Sequence, residues 1–362
     1  MKGMSSKEPV NIIEPTLSTQ AGHCFSFVSA LIRAGAGNAP LRLWVNKHAQ
    51  LELQTGNIEI RRHFRRWSRR FQAYSLFRKL LSTPGKLFVS TASYTDLRLF
   101  DWAARETVPQ NKAYFYVHWF RPSEAKFRQL RRIAQRQPNL VIFGPTPTVV
   151  DVFRSAGFTA ARVVPYPISA RQHFAEAQPF RHLLFAGAAR RDKGFSHVVD
   201  LVEWLHAHHA AIPVTVQISA EHFGKYDAET LADIKRLQNI PYPYLHLLTD
   251  TLSVEQYEAL FPGAIAIQLY DVNDFTDRIS GVTLDAFSGG CPVLTTGGTW
   301  IARMAQRFDA GQVVARVESP QLLEAINLII AEYRRYAGNA SRAGVILQQE
   351  HSAGALHEAL TA

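Results

Sequence analysis

The chain has 362 residues, of which 47% are hydrophobic and 19% are charged, so it can bury a substantial core and is not compositionally disordered. It is long enough for one large domain or two of medium size. No apolar run reaches the roughly 18 residues of a spanning helix, and residues 1–15 lack the apolar stretch of a signal peptide. Two cysteines, Cys24 and Cys291, cannot form a disulfide framework, so we expect a cytosolic protein.

The net charge of +10 is unevenly distributed along the chain. Up to residue 170 there are 25 Lys and Arg against 9 Asp and Glu, a net of +16, whereas the remaining residues hold 15 against 21, a net of −6. A basic half joined to a mildly acidic half indicates two domains, one of which meets an anionic partner.

The first half alternates short apolar segments with stretches of helical spacing, which is the pattern of a wound α/β sheet. A helix begins near His23, has Phe27 and Leu31 on its apolar face and ends at Gly35. The predicted strands are Val10–Ile13, Leu41–Val45, Leu87–Ser90, Ala113–Val117, Leu140–Phe143 and Arg162–Val164.

A second α/β unit follows Pro165 and Pro167, which stiffen the chain and mark the linker. Its predicted strands are His182–Phe185, Val214–Ser219, Tyr244–Leu248, Ala264–Leu269, Pro292–Thr295 and Gln312–Ala315. Its predicted helices are Phe195–His208, Ala228–Gln238, Ser253–Leu260, Val282–Ser288, Thr299–Arg307 and Pro320–Tyr336. We therefore predict domains over 1–167 and 168–345, with a helix over 346–362 that can return to the first domain.

The first motif is a buried strand, Leu183–Phe185, that leads into a turn containing Gly187 and three cations, Arg190, Arg191 and Lys193. Ligands of open α/β sheets bind at the carboxyl ends of strands, where these cations can neutralise a diphosphate. The alternative is a solvated basic loop before a helix.

The second motif opens a helix at Ser280, Gly281 and Val282, whose free amide N–H groups and helix dipole favour an anion. Asp285 falls about one turn into this helix, where it can reach a pair of ribose hydroxyls. Asp277 precedes the helix and can face the transferred group. The alternative is a capped helix with two ordinary surface acids.

The two motifs together resemble the donor-binding domain of GT-B fold glycosyltransferases, particularly the large retaining family four that uses nucleotide sugars. The resemblance covers roughly 181–329. It rests on the family's Lys-Gly turn, on its pair of acids eight residues apart, and on the Ala and Gly-x-Pro-Val that follow, here Lys193, Gly194, Ala286, Gly290, Pro292 and Val293. Both family glutamates are aspartates here. The family arginine falls on Ala188, so Arg190 or Arg191 must supply the second cation.

The resemblance implies two Rossmann-like domains facing across a cleft. It also implies transfer of a sugar from a nucleotide diphosphate sugar to a glycan or lipid-linked acceptor, with retention of configuration, in bacterial cell-surface polysaccharide biosynthesis. Lys193 with Arg190 or Arg191 then stabilises the departing diphosphate, Asp277 contacts sugar hydroxyls and Asp285 holds the ribose. No cofactor or metal is expected, because enzymes of this class use cations and a helix dipole instead.

In the first half, His118 stands at the carboxyl end of a predicted strand, where the family often has a histidine close to the acceptor and the sugar. A histidine at this place is otherwise a packed or solvated bystander. The loop with Gly22 and His23 follows the first strand, and the resemblance implies that it lines the gap between donor and acceptor; its glycine permits close backbone approach.

The segment from Ile60 to Lys79 combines eight cations with aromatic residues. If it is helical, an aromatic stripe is flanked by arginines, which suits an anionic membrane surface at the inner face of the plasma membrane. The aromatic residues are Phe64, Trp67, Phe71 and Tyr74, and the arginines closest to Trp67 are Arg65, Arg66, Arg69 and Arg70. The alternatives are an amphipathic helix packed on its own core, and nucleic-acid binding, which we do not favour.

Two other functions remain open from the sequence. A GT-B nucleotide-sugar epimerase has the same fold and needs no acceptor, and it would release free sugar without one. A non-catalytic nucleotide-binding protein is the other alternative, because both family glutamates are replaced.

Overall fold

A computed structural model describes residues 8–20, 22–35, 40–51, 53, 58–168, 178–218 and 226–361, with the exception of the His23 side chain. These residues divide into two compact units. The first unit contains the residues up to 168 together with those from 350 onward, and the second contains 178–349. Each unit is built on its own parallel sheet.

The first unit has a parallel sheet of seven strands. The strands are β1 (Val10–Ile13), β2 (Leu41–Asn46), β3 (Ile58–Phe64), β4 (Lys86–Val89), β5 (Ala113–Tyr116), β6 (Val141–Gly144) and β7 (Ala161–Val163). The helices are α1 (His23–Ala34), α2 (Arg69–Leu81), α3 (Tyr94–Ala103), α4 (Glu124–Arg136), α5 (Pro147–Ser155) and, from the end of the chain, α14 (Ala353–Thr361). The strand order is β3-β2-β1-β4-β5-β6-β7.

Alternating strand residues supply the two faces of this sheet. Val89 and Phe115 lie in one core cluster with buried residues of α2, α3, α4 and α5. Their neighbours Phe88 and Tyr116 instead contact Phe27 of α1, with ring centroids 6.5 and 4.9 Å away. The sheet is therefore covered by helices on both faces, as buried parallel strands require.

The end of the chain returns to the first unit. The isolated bridge Ile168–Ser352 pairs the two segments that pass between the units, and α14 packs on α1. Lys86 Nζ donates to Leu360 O at 2.6 Å. The expectation of a single helix over 346–362 is wrong. Residues 346–350 belong to a preceding helix, α13 (Tyr333–Glu350), and residues 351–352 separate that helix from α14.

The second unit has a six-stranded parallel sheet of order β10-β9-β8-β11-β12-β13. Its strands are β8 (His182–Phe185), β9 (Val214–Gln217), β10 (Leu245–Leu248), β11 (Ala264–Gln268), β12 (Val293–Thr296) and β13 (Gly311–Val314). Its helices, besides α13, are α6 (Phe195–Ala207), α7 (Ala228–Asn239), α8 (Val254–Glu258), α9 (Val272–Phe275), α10 (Gly281–Ser288), α11 (Trp300–Phe308) and α12 (Ser319–Ala331).

Each sheet has one point at which the strand order changes direction. This topological switch point lies between β1 and β4 in the first unit and between β8 and β11 in the second. The loops that leave the carboxyl ends of two such strands diverge to opposite sides and leave a crevice where ligands of open α/β sheets bind. Both sequence motifs of the second unit follow the strands of its switch point, β8 and β11.

The condition on which the aromatic stripe across 60–79 depended, a single helix, is not met. Residues up to Phe64 form β3, an edge strand of the first sheet, and α2 begins only at Arg69. Alternating exposure along β3 ends at Phe64, which is fully buried in the core. The proposed aromatic stripe is therefore divided between a strand, a turn and a helix.

Candidate active site

The turn after β8 is shaped by two glycines with positive φ. Gly187 (φ 99°) donates its backbone N–H to Gln217 Oε1 at 2.7 Å. Gly194 (φ 74°) follows a short 3-10 turn, and a Cβ at this position would lie 2.2 Å from the carbonyl oxygen of Leu269. Only glycine permits this approach, which presses the turn against the end of β11.

This packing brings Lys193 to the start of α10. A Cβ atom on Gly187 would lie 3.2 Å from Lys193 Nζ and 3.6 Å from Val282 Cγ2. The side chains of Lys193 and Val282 therefore approach the same point beside Gly187. The ammonium group is also 5.7 Å from the ring centroid of Tyr270. The two sequence motifs, which are about 90 residues apart, therefore meet at the switch point.

Lys193 is a half-buried cation with other cations nearby, and its pKa is lowered. The pKa of Lys193 is lowered from 10.5 to about 8, mainly by desolvation and also by the charges of Arg190 and Arg278, against the opposing effect of Asp192 and Asp285. Removal from water disfavours the charged form of a lysine, and neighbouring cations do the same. An anion bound beside Lys193 would relieve both effects.

The structure distinguishes the two arginines of the turn. Arg191 forms an ion pair with Glu229 in the first turn of α7. Arg190 pairs with Asp192 within the same turn, through its Nε at 2.8 Å and through its Nη2. Because the charge of Arg190 contributes to the lowered pKa of Lys193, Arg190 is the arginine of the turn that acts on the site electrostatically.

Helix α10 begins at the same place with an open N-terminus. Ser280 is its N-cap, and the Ser280 hydroxyl accepts a hydrogen bond from the backbone N–H of Thr283 at 3.3 Å. A Cβ on Gly281 would meet no heavy atom within 4 Å, so there is open space beside the first helical residue. The amide groups of a helix N-terminus attract anions, and here Lys193 stands beside them.

The two aspartates of the second motif have different partners. Asp285, half-buried in α10, accepts a hydrogen bond from Tyr257 Oη at 3.1 Å. The negative charge of Asp285 favours the charged form of Lys193 and so opposes the lowering of the Lys193 pKa. Asp277 is held by Arg303 of α11, which donates Nη2 to Asp277 Oδ1 and to the carbonyl of Thr276, both at 2.6 Å.

Sequence reasoning missed three side chains of this site. Arg278 lies on the loop before α10, 4.8 Å from the Phe275 ring centroid and in electrostatic contact with Arg190 and Lys193. Tyr270 hydrogen-bonds to Ser280, and burial raises its pKa. Arg278 adjoins Asp277 within the motif and could have been found there, whereas no sequence signal indicated Tyr270 or the Tyr257 contact.

In the first unit, His118 follows β5 after the single residue Val117 and is half-buried. Its ring lies near those of Phe27, Tyr116 and Tyr166, with centroids 5.1 to 5.4 Å away. His118 Nε2 is 2.8 Å from the carbonyl oxygen of Ser90. Because a carbonyl can only accept, Nε2 carries the proton and a neutral ring presents Nδ1 as an acceptor.

The same Ser90 belongs to a buried carboxylate cluster that the sequence did not suggest. Glu14 follows β1 and is completely buried. It accepts hydrogen bonds from Ser90 Oγ at 2.7 Å, from Thr16 Oγ1 at 2.6 Å and from Thr91 Oγ1. Glu14 therefore joins the ends of β1 and β4, the two strands of the first switch point, and Ser90 extends this network to His118.

The remaining candidates of the first unit stand at the start of α1. Gly22 is the N-cap of α1 with φ 85°, and a Cβ there would meet no heavy atom within 4 Å. His23 begins α1, but its side chain lies outside the described part of the structure.

The basic segment exposes two aromatic side chains. Trp67, in the turn before α2, is 96% exposed and Phe71, in the first turn of α2, is 73% exposed. Arg65, Arg66, Arg69 and Arg70 flank them and are exposed. Within the described ranges, no helix is both long and apolar enough to span a bilayer. The same residues include no cluster of three or more His, Cys, Asp or Glu side chains that could hold a metal ion.

The two parallel α/β units constitute the GT-B fold, and comparison with solved structures agrees. HepE of Anabaena, solved in complex with UDP-glucose, has a TM-score of 0.68 and 12% identity, with 98% of each chain covered. Sucrose-phosphate synthase of Thermosynechococcus elongatus has a TM-score of 0.71 and 13% identity over 98% of this chain and 99% of that one.

A third similar structure is WaaG, a glycosyltransferase involved in lipopolysaccharide biosynthesis. It has a TM-score of 0.65 and 13% identity over 97% of this chain and 98% of its own. No family model matches the sequence, and no curated protein does so. At these identities the similarity establishes the fold, and the chemistry has to be argued from the side chains.

Proposed function

We propose that the protein is a glycosyltransferase that moves a sugar, of the hexosyl type, from a nucleotide diphosphate sugar to a hydroxyl acceptor. The observation that carries this proposal is the convergence of Lys193 and the open N-terminus of α10 at the β8/β11 switch point. A diphosphate placed there meets a cation and several free amide groups at once. The UDP-glucose bound to HepE and the glycosyltransferase WaaG, both of similar fold, support the same reaction class.

The chemistry requires stabilisation of the charge that develops on the departing diphosphate. Lys193 and the amides of Gly281 and Val282 would act on this charge, with Arg190 beside them. Groups fixed before the reaction, in a site partly removed from water, stabilise such charge more strongly than solvent does. The lowered pKa of Lys193 fits this role, because a bound anion raises the pKa again and keeps the ammonium group charged.

The two aspartates would position the donor. Asp285, held by Tyr257, would bind the ribose hydroxyls, and Asp277, held by Arg303, would bind hydroxyls of the transferred sugar. Aspartate is one methylene shorter than the family's glutamate. The contact between Arg303 and Asp277 fixes the direction of this shorter side chain before substrate arrives.

His118 would orient the acceptor or the sugar. We further propose that configuration is retained, in line with the resemblance of the motifs to the retaining family four, and that no cofactor or metal takes part. The acceptor would be a glycan or a lipid-linked sugar of cell-surface polysaccharide synthesis, a role for which the relationship in fold to WaaG is the support.

The first test is a thermal-shift panel of uridine, guanosine and adenosine diphosphates, each with and without an attached sugar. A ligand at 100 times its Kd stabilises the folded protein by about 2.7 kcal/mol. We expect one nucleotide series to raise the melting temperature, and no response to any member would contradict the proposal. The responding donor then serves in a transfer assay, in which release of free sugar without an acceptor would favour the epimerase.

Asp277 variants separate an enzyme from a non-catalytic nucleotide-binding protein. Asp277→Ala should reduce turnover by about 10²-fold or more, as for other positioned polar groups. Asp277→Glu, which keeps the carboxylate and restores the family residue, should retain most of the activity. Equal turnover of wild type and Asp277→Ala would contradict the assigned role.

We propose that the surface around Trp67 docks on the anionic inner face of the plasma membrane, where a lipid-linked acceptor lies. Two exposed aromatic rings among four arginines match an interface in which rings enter the headgroup region and each cation adds about 1 kcal/mol. The protein should sediment with anionic vesicles and not with neutral ones. Trp67→Ala should weaken this binding several-fold, whereas Trp102→Ala, which removes another exposed tryptophan of the same unit, should not.

A further inference from the structure

A completely buried carboxylate stands at the switch point of the first sheet. Glu14 comes directly after β1 and has no exposed surface. Its Oε1 accepts hydrogen bonds from Thr16, through the hydroxyl at 2.6 Å and through the backbone N–H at 3.3 Å. Its Oε2 accepts from Ser90 Oγ at 2.7 Å and from the hydroxyl of Thr91. Burial of a charged group is unfavourable unless hydrogen bonds replace its water, and these donors do so here.

Stability alone gives little reason for a carboxylate at this place. Replacing all partners of a buried polar contact by apolar groups of the same shape is often nearly neutral or even stabilising. A satisfied buried polar network instead makes one arrangement of its members rigid. Glu14 therefore contributes mainly a fixed geometry between the loops that follow β1 and β4.

Ser90 is fixed by both its side chain and its backbone. Its hydroxyl donates to Glu14, and its backbone N–H donates to the carbonyl oxygen of Ile13 at 3.3 Å. The loop that follows is tied to β5, because the N–H of Ala92 donates to Tyr116 O at 2.8 Å. Ser90 is itself fully buried. The carbonyl group of Ser90 therefore has a defined position at the carboxyl edge of the sheet.

This carbonyl group is the hydrogen-bond acceptor of His118. Nε2 of the ring lies 2.8 Å from Ser90 O, and the rings of Phe27, Tyr116 and Tyr166 pack around the imidazole. The aromatic contacts restrict where the ring lies, but they do not select one of its two tautomers. The bond to Ser90 O selects the tautomer with the proton on Nε2, because a carbonyl can only accept. A single residue thus connects Glu14 to the ring.

We propose that Glu14 is a positioning residue for His118: its carboxylate fixes Ser90, and the Ser90 carbonyl then fixes the orientation and the tautomer of the imidazole ring. This assignment rests on the proposed function, in which His118 orients the acceptor or the sugar. A ring that is fixed before substrate arrives holds a substrate hydroxyl in one position, and a misplacement of about 1 Å can cost about 10²-fold in rate. Glu14 acts only through other residues, so its complete burial is compatible with this role.

Nitrogen-15 NMR of the full chain with labelled histidine tests the positioning directly. The spectra are recorded at about pH 9, above the ordinary histidine pKa, and the His118 signals are assigned by their loss in His118→Ala. In wild type the two ring nitrogens should have the well-separated shifts of the tautomer protonated on Nε2. Glu14→Met, which removes both acceptor oxygens, and Ser90→Ala, which removes the hydroxyl and keeps the carbonyl, should admit the second tautomer. The two signals should then move toward each other.

The conservative variant should behave differently. Glu14→Gln keeps one oxygen, which can still accept from Ser90 while the NH2 group faces Thr16, whose hydroxyl can rotate to accept from it. Its His118 signals should therefore stay close to those of wild type. If Glu14→Met does not fold, Ser90→Ala decides the test.

Asp101→Asn is the matched control. Asp101 is another buried carboxylate of the same unit, 2% exposed, and it pairs with Arg136 near the end of α3. Loss of its charge should cost stability without moving the His118 signals. If Asp101→Asn moved these signals as much as Ser90→Ala does, the change would reflect a general loosening of the unit, and the assignment of Glu14 would be overturned.

A kinetic measurement connects the positioning to the reaction. Transfer from the donor identified by thermal shift to p-nitrophenyl hexosides, used as probe acceptors, is followed by the release of nucleoside diphosphate. Ser90→Ala should lower kcat by about tenfold and leave the Kd of the nucleoside diphosphate unchanged. In a His118→Ala background the same substitution should cause no further loss, because its effect passes through the ring.

The outcomes separate this assignment from the proposed function. If wild type binds no nucleoside diphosphate, the proposed function fails, and the NMR spectra still decide whether Glu14 positions His118. If His118→Ala transfers sugar at the wild-type rate, the role of His118 in the proposed function fails. Unchanged His118 signals in Ser90→Ala, or equal losses of kcat from Ser90→Ala with and without His118, would overturn the assignment of Glu14.

Discussion

The two units use the same switch-point geometry for opposite chemistry. At the β1/β4 switch point, Glu14 is a buried carboxylate surrounded by hydroxyl donors, and Ser90 links it to His118. At the β8/β11 switch point, Lys193 stands beside an open helix N-terminus. The sheet topology thus determines where ligands bind, whereas the side chains after each strand decide which ligand is bound.

In both units the charge at the switch point is opposite in sign to the net charge of the corresponding half of the chain. The first half of the chain has a net charge of +16, yet its switch point holds a buried acid. The second half has a net charge of −6, yet its switch point holds the cationic cluster. Net charge therefore describes long-range attraction and solubility, and it gives no information about the site itself.

Removal of Lys193 should have the largest effect. Lys193→Ala should reduce turnover by about 10²-fold to 10³-fold, because the charge on the departing diphosphate loses a preorganised partner. The measurement is kcat/KM with the donor identified by thermal shift. Lys235→Ala, which removes an exposed cation from α7, is the matched control and should leave kcat/KM unchanged. Similar losses in the two variants would mean that only the overall charge matters.

Two glycines of the second site should respond in opposite ways to alanine. Gly194→Ala should destabilise the second unit by about 3 kcal/mol, because its Cβ would lie 2.2 Å from Leu269 O at a φ of 74°. Gly281→Ala should leave stability unchanged, because its Cβ enters open space, but it should weaken diphosphate binding there. Urea denaturation and calorimetry measure the two effects. A stable Gly194→Ala protein would contradict the tight junction between the two loops.

In the first unit, Glu14→Gln should destabilise by about 2 kcal/mol, since one of the two oxygens that accept from the surrounding hydroxyls is replaced by an NH2 group, which cannot accept. The effect should appear as faster amide hydrogen exchange in β1 and β4, with the second unit unaffected. Glu59→Gln, which changes an exposed carboxylate on β3, should alter stability by less than about 0.5 kcal/mol. Equal effects of the two substitutions would mean that Glu14 is not structurally important.

A pH dependence that differs in sign between binding and folding is also expected. Lys193 has a pKa of about 8 in the folded protein against 10.5 in the unfolded chain. Above pH 8 the free site loses its charge, so diphosphate binding should weaken by up to about tenfold per pH unit. Between pH 8 and 10.5 the unfolded chain binds more protons, so Lys193 should contribute an increase in stability with pH.

The groups that face Lys193 are Arg190, Asp192, Arg278 and Asp285, with Tyr270 beside them. A Lys193→Met variant removes the titrating group and should flatten both pH dependences. The measurements are calorimetric titrations with pyrophosphate and urea unfolding, each from pH 7 to pH 10. If binding is independent of pH in this range, Lys193 does not contact the diphosphate.

Much of the architecture could be predicted from local pattern. Short apolar runs followed by glycine, proline or small polar residues predicted twelve of the thirteen strands to within a few residues. The exception was β3, an edge strand whose arginine-rich, mostly exposed sequence resembles an amphipathic helix as much as a strand. Its identity depends on pairing with β2, which no local pattern contains.

The donor site was only partly predictable. The glycines, the N-cap serine and Lys193 follow from backbone geometry and helix capping, which are local properties. The choice between Arg190 and Arg191 depended on Glu229, about 40 residues away in the sequence. The orientation of Asp277 likewise depended on Arg303.

By itself, the sequence determined the two parallel sheets, the positions of both motifs and the capped helix start of the second one, because hydrophobic period, glycine and capping residues act over a few residues. Only the tertiary structure decided which charges pair with each other, that Glu14 lies buried beside Ser90, and that Lys193 lies beside the start of α10. Those properties depend on distances between segments remote in sequence, and electrostatic interactions are fixed by such distances and by burial.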